Sequence, residues 1–349
     1  MSAAAFETET LNMKVTRPRR RGWLFYVKRG LLALVIVLVA LPITGFVYEK
    51  IMEPGDAERF PPIGQMVDVG GHRLHIYCEG AGSPAVILEG GAGVAALTWH
   101  LTQPLIAEHT RVCAYDRAGL GWSELGNPPY TPDSTARDLH TLLGNAGIEP
   151  PYVLVGHSVG GKHIRMFTEL YPDEVVGLVF DDARHESADP IRTQEEFEAD
   201  SAAYASGLNF YRVLRDLGVV RLLAVPLSHS LDPSLNKLPD DVVYRLALFA
   251  VNEKTLQSEI DTHDIANNEQ LSTARPLGDL PVVVLTSTEG LDMQEGWDAV
   301  QQKLVALSTN SQQIVVDSSH NIHIDQPQQV ADAVLRVIDS AESGQPLAQ

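Results

Sequence analysis

Residues 155–161 read Val-Gly-His-Ser-Val-Gly-Gly, a serine with a glycine two residues away on each side. The run Tyr152–Val155 before it has the length and β-branched content of a buried strand, while Ile164, Phe167, Leu170 and Tyr171 after it recur at helical spacing. Ser158 is therefore expected on a strand-to-helix turn. Gly156 and Gly160 remove the Cβ atoms that would collide if the chain turned sharply enough to push the hydroxyl outward. That suits a nucleophile; on these residues alone the alternative is a glycine-rich helix start that holds a phosphate or nothing. The catalytic reading makes further demands. A serine hydroxyl needs a base within hydrogen-bond reach, the base needs an orienting carboxylate, and the developing oxyanion needs two N–H donors. Twelve histidines are available for the base.

The segments around the turn alternate between strand and helix. Gln65–Gly80 holds two alternating runs joined by Gly70-Gly71, which predicts a tight antiparallel hairpin. Short apolar strands are expected at 85–88, 112–115, 152–155, 175–180, 282–285 and 314–316. Helical segments separate most of them. One follows Thr131, a cap with Pro132 in the first turn, and another covers 328–338. This alternation predicts an α/β fold, a mostly parallel sheet covered by helices on both faces. Residues 186–276 break the rhythm. They are helix-rich and interrupted by Pro226, Pro233 and Pro239, so a helical insertion over the C-terminal edge of the sheet is expected.

A hairpin leading into parallel strands, with Gly-x-Ser-x-Gly midway, resembles the α/β-hydrolase superfamily from about Gln65 to Ile338. Four motifs carry the likeness: AVILEGGAG at 85–93, YDRAGLGWS at 115–123, VGHSVGG at 155–161 and SSHNIHIDQP at 318–327. Within the superfamily the chain is most similar to lidded serine hydrolases of the esterase and peptidase-like type. The resemblance implies Ser158 as nucleophile, His320 rather than His323 as base, and the backbones of Gly91 and Val159 as oxyanion donors. For the acid it leaves two positions. Asp182 stands 24 residues beyond Ser158, at the end of the next strand, and Asp292 follows the penultimate strand. Asp181 should point to the opposite side of an extended chain from Asp182. Glu89-Gly90 departs from the family's usual His-Gly, which puts a carboxylate by the oxyanion loop that is either solvated or able to act on neighbours and substrate cations. Asp116 and Arg117 are read as loop braces. Trp99, Trp122, His157 and His185 are candidates for the substrate pocket, with core packing the alternative for the tryptophans.

The implied function is hydrolysis of an ester or related acyl bond of a small molecule through an acyl-enzyme. Amide hydrolysis, acyl transfer and a catalytically silent binder on the same fold are the alternatives. Haloalkane dehalogenases and epoxide hydrolases are set apart by the aspartate they carry where Ser158 stands. No cofactor is expected: two cysteines and scattered histidines fit no zinc spacing, and no dinucleotide fingerprint follows the first parallel strand.

Charge and hydropathy place the chain. The formal charge is −19, yet residues 1–50 hold eight Lys/Arg against three Asp/Glu, leaving 18 against 42 beyond. So acidic a body repels phosphate backbones, and nucleic acid is not an expected partner. Residues 30–48 carry no charge and, at about 1.5 Å per residue, reach about 28 Å, close to a hydrocarbon core. A membrane-spanning helix is expected there, with a cleaved signal peptide the alternative. Arg17, Arg19, Arg20, Arg21, Lys28 and Arg29 precede it, so the N-terminus is expected in the cytoplasm and the catalytic domain on the extracytoplasmic side. The organisation read from the sequence is a basic segment 1–29, a transmembrane helix 30–48, a linker 49–62, a hydrolase core 63–185 and 277–340 around a lid 186–276, and a tail 341–349. Cys78 and Cys113 fall on strands that are neighbours in the resembling fold, so a disulfide between them is geometrically conceivable in an oxidising space.

Overall fold

The computed structural model describes residues 22–186, 194–249, 270–293 and 296–347. The basic residues up to Arg21 lie outside these, as do parts of the expected lid. Eight strands form one sheet in the order β1-β2-β4-β3-β5-β6-β7-β8. They are β1 (Gln65–Asp68), β2 (Arg73–Glu79), β3 (Ala85–Glu89), β4 (Val112–Tyr115), β5 (Tyr152–His157), β6 (Val175–Asp181), β7 (Val282–Ser287) and β8 (Ser311–Val316). The β1–β2 and β2–β4 pairs are antiparallel and every other pair is parallel. Every strand read from the sequence is present. Cys78 and Cys113 are register partners across β2 and β4, and they form a disulfide.

Side-chain alternation along the strands makes two cores. Ile87, Leu154, Leu178 and Val284 point to the face covered by α2 (Pro132–Asn145), α3 (Gly160–Leu170) and Leu304 of α8 (Trp297–Val305). Val86, Leu88, Val153, Val155 and Val283 point to the other face, where Val330, Val334 and Val337 of α9 (Pro327–Ser343) meet them. Both faces are dry, which explains why β3, β4, β5 and β7 are buried at every position and read as continuous apolar runs. Thr131 caps α2 through a reciprocal pair with Ser134, satisfying donors at the helix start.

The described part of the insertion is helical: α4 (Gln194–Asp216), α5 (Val219–Leu231) and α6 (Asp240–Phe249). Leu238, Val242, Val243 and Leu246 pack on Ala95, Leu97 and Ile324, which ties α6 to the segment that follows the loop after β3 and to the loop after β8. Helix α7 (Thr288–Met293) follows β7 directly. At the N-terminal end, α1 runs from Trp23 to Met52 and exposes an apolar surface along its length. It extends beyond the expected span at both ends, so residues 49–52, read as linker, are its last turn. Residues 53–59 continue as single helical turns.

Candidate active site

Strand β5 ends at His157 and α3 starts at Gly160, so Ser158 stands on the turn between them. Its φ is 52°, and among the described residues only Ser158 and Asp182 combine a side chain with positive φ. A serine held in the left-handed region is strained, and such strain gathers where a side chain must be presented outward. The flanking glycines are sterically required. A Cβ at Gly156 would lie 2.7 Å from the Gly160 carbonyl oxygen, and one at Gly160 would lie 2.8 Å from that of Gly90. The turn and the loop after β3 are therefore packed backbone to backbone. A Cβ at Gly91 would come 3.1 Å from Cβ of Ser158, so that loop reaches the serine itself. Val159 follows the serine and is buried.

Asp182 is the first residue past β6 and is fully buried. Oδ1 accepts from the Ser287 backbone N–H and from Trp297 Nε1, each at 2.9 Å; Oδ2 accepts from Ser287 Oγ at 2.7 Å and from His320 Nδ1 at 2.6 Å. With the Nδ1 proton committed to a carboxylate, His320 keeps its lone pair on Nε2, the tautomer of a general base. The His320 backbone N–H donates to Glu289 Oε2 at 2.7 Å, which fixes the loop from below. Asp292 is exposed on α7, and the Nδ1 position it would need is taken by Asp182. Asp181, on the opposite side of the strand, accepts instead from His323 Nδ1 at 2.8 Å. Two adjacent aspartates thus hold two different histidines of one loop.

The second pair is a buried support. Burial pushes the Asp181 carboxyl up, against the pull of His323. Burial likewise holds His157 well below the ordinary histidine range, and the His323 and His320 rings add to it. His157 Nε2 lies 3.1 Å from the His320 carbonyl oxygen, and its ring centroid is 4.7 Å from that of His320 and 4.5 Å from that of His323. His157, Asp181 and His323 offer ligand atoms within 4.8 Å of one another. Asp181 Oδ2 and His323 Nδ1 are engaged in their mutual 2.8 Å hydrogen bond, while Asp181 Oδ1, His323 Nε2 and His157 Nδ1 are buried with no hydrogen-bond partner among the described residues.

Glu89 is neither solvated nor open to substrate. It is fully buried, with Oε1 bonded to Arg117 Nη1 at 2.7 Å and to His163 Nδ1 at 2.9 Å, and with the Tyr115 hydroxyl on Oε2. Burial pushes its carboxyl up, but Arg117, His163 and Tyr115 outweigh that and hold it below the ordinary range. Arg117 also donates to the carbonyl oxygens of Gly90 (2.6 Å) and Gly91 (2.5 Å). The ion pair therefore clamps the loop from behind. Asp116 accepts from the Ala96 and Trp122 backbone N–H groups at 2.7 and 3.1 Å, bracing the two loops together.

The four pocket candidates separate. Trp99 is completely buried, its ring centroid 4.4 Å from that of His323, and His157 is buried against the His320 and His323 rings, so neither faces a substrate cavity. Trp122 is half-buried, donates from Nε1 to the Phe60 carbonyl at 2.9 Å and packs on His75. His185 lies beside Glu186, with burial lowering its pKa to about 4. Ser287, Trp297 and Glu289 escaped sequence reading: each acts through another residue's side chain or backbone and belongs to no local motif.

A strained serine beside a braced loop, and an imidazole held by a buried aspartate, are elements that acyl transfer through a serine uses. Residues 84–327 match the model of the alpha/beta hydrolase fold family, and the chain belongs to that family. Among curated relatives it is similar to the uncharacterized protein YbdG of Bacillus subtilis, 27% identical over 150 residues, 42% of this chain and 46% of that one. It is also similar to 2-hydroxy-6-oxo-2,4-heptadienoate hydrolase of Pseudomonas putida, 33% identical over 120 residues, 34% of this chain and 43% of that one. The chain spans less than half the length of the first curated relatives that it matches. Among solved structures it resembles the epoxide hydrolase CorEH, with 21% identity, a TM-score of 0.60, and coverage of 79% of this chain and 98% of that one. At that identity the likeness extends to the fold.

Proposed function

We propose that this chain is a serine hydrolase that cleaves an ester or related acyl bond by way of an acyl-enzyme, held at a membrane by α1. The observations that carry the reading are Ser158 at φ 52° on its turn and His320, whose Nδ1 lies 2.6 Å from the buried Asp182. Ser158 Oγ attacks the acyl carbon while His320 Nε2 takes its proton. Asp182 keeps the imidazole in the required tautomer and stabilises the cation that forms. The backbone N–H groups of Gly91 and Val159 receive the oxyanion, with the Arg117 clamp keeping the first in place. The intermediate collapses with loss of the leaving group, to which His320 returns the proton; water, deprotonated by the same base, then attacks the acyl carbon, and the second collapse frees the acid as His320 gives the proton back to Ser158 Oγ. Every bond broken is at the acyl carbon, and the residues used need no cofactor.

The single apolar helix near the N-terminus is long enough to cross a bilayer. Its basic flank supports a cytoplasmic N-terminus and an extracytoplasmic hydrolase domain. The Cys78–Cys113 disulfide suits that oxidising side. The test is hydrolysis of a panel of p-nitrophenyl esters graded by acyl length, together with 2-hydroxy-6-oxo-2,4-heptadienoate, the compound in one relative's name. Saturable ester turnover supports the reading. Turnover of the dienoate alone would move the reaction to a carbon–carbon bond.

A further inference from the structure

The outer surface of the lid is apolar at one place. Among the described residues outside α1, large hydrophobic side chains are exposed at Phe210 (65%), Val213 (49%), Leu222 (68%), Leu223 (50%) and Leu231 (71%) on α4 and α5, and elsewhere only at Ile63 and Val315. Phe210 and Val213 lie in the last two turns of α4, and Leu222 and Leu223 lie in the first two of α5. The turn between these arms is Leu217-Gly218. At about 1.5 Å per residue, all four side chains fall within about 10 Å of that turn along the helix axes.

The same turn sits against α1. A Cβ at Gly45 would lie 2.0 Å from the Leu217 carbonyl oxygen, and one at Gly218, whose φ is +70°, would lie 2.9 Å from that of Gly45. Two glycines therefore let the lid and α1 touch backbone to backbone. One turn further along both helices, Arg221 is buried between two carboxylates, with Glu49 at 2.7 and 2.9 Å and Asp56 at 2.6 and 2.7 Å. These contacts fix depth. Gly45 lies three residues inside Tyr48, the end of the uncharged stretch, or about 4.5 Å below it. An amphipathic element buries its apolar side about 5–10 Å into the boundary between headgroups and acyl chains. The charged neighbours agree with that level: Arg212, Arg215 and Asp216 near the end of α4, and Lys50 near the end of α1, keep the turn from passing deeper.

We propose that the α4–α5 turn of the lid docks in the interfacial layer of the lipid bilayer that α1 enters, with Phe210, Val213, Leu222 and Leu223 as the side chains in contact with lipid. The partner is the bilayer itself, continuous with the surface of α1. This rests on the reading of α1 as a membrane anchor, and its test separates the two. The full chain is reconstituted in phosphatidylcholine–phosphatidylglycerol vesicles after attachment of an environment-sensitive fluorophore at Leu222→Cys, Ile36→Cys or Asp339→Cys, the native disulfide being left oxidised. Two quenchers are compared at every label, a lipid with a nitroxide near the headgroup end of its acyl chain and aqueous iodide, and Ile36→Cys is also read with a nitroxide placed deeper in the acyl chain. The Leu222→Cys label is expected to lose emission to the nitroxide lipid and to resist iodide, and the Asp339→Cys label to do the reverse. If the Ile36→Cys label is reached by neither lipid nitroxide nor a deeper one, the anchor fails and the docking falls with it. If Ile36→Cys reports the bilayer while iodide quenches Leu222→Cys, the lid faces water and docking is refuted with the anchor intact. Protection of Leu222→Cys from both quenchers means that protein covers the turn, a second copy included, and refutes lipid contact as well.

Discussion

Asp181 and Asp182 are neighbours with identical side chains, and they hold different histidines, Asp181 from the end of β6 and Asp182 from the turn after it at φ 43°. Their separation makes the assignment of the acid testable. Asp182→Asn disturbs the tautomer of His320, so kcat should fall by on the order of 10²–10⁴-fold at matched stability, while Asp292→Asn stays within a few-fold. A large loss confined to Asp292→Asn would reverse the roles. His157 supplies a second test through stability. Its folded pKa lies below its unfolded value near 6.5, so the unfolded chain binds more protons and stability is lost as pH falls below about 6.5. His185, lowered to about 4, acts in the same direction down to that value. Asp181, raised by burial, opposes them in acid. Thermal unfolding midpoints should therefore fall less steeply between about pH 6.5 and 5 in His157→Gln than in the wild type. Parallel slopes would mean that His157 is not held neutral by the fold.

At the scale of elements, the loop after β3 depends on a buried ion pair that the sequence disguised. Glu89 read as a departure beside the expected oxyanion loop because a single sequence does not show that Tyr115, Arg117 and His163 converge on it from β4, the loop after it and α3. The turn at Ser158, by contrast, was legible. Its glycines are required by contacts within a few residues and with the facing loop, and its strand and helix carry their own periodicities. The same division runs through the site. His320 was legible from its place after the last strand, whereas Ser287 and Trp297, which hold Asp182, are set by how β7 and α8 pack and leave no local trace. For Trp99 the sequence left pocket lining and core packing open, because an aromatic residue after a loop looks the same whether it faces inward or out; the structure buries it. Glu89→Ala removes the carboxylate that neutralises the buried Arg117 and should cost about 3–5 kcal/mol in urea unfolding. A cost below about 1 kcal/mol would show that the clamp does not stabilise the loop.

Across the whole molecule, the chain combines a sheet of fixed topology, a disulfide, a helical insertion and an apolar helix that touches that insertion. The orientation proposed for α1 predicts that protease added to spheroplasts reaches the hydrolase domain, and that alkylation without reductant finds neither Cys78 nor Cys113 free. Full protection of the domain, or two reactive thiols, would place it on the cytoplasmic side. The central claim, however, is that one serine becomes covalently acylated. The most direct measurement is the intact mass of the purified protein after treatment with a fluorophosphonate, followed by peptide mapping. The account predicts one adduct per chain, located at Ser158, absent in Ser158→Ala and strongly slowed in His320→Ala, with ester turnover lost in proportion to labelling. Ester turnover that persists in Ser158→Ala, or an adduct at another residue that accounts for the activity, would contradict it.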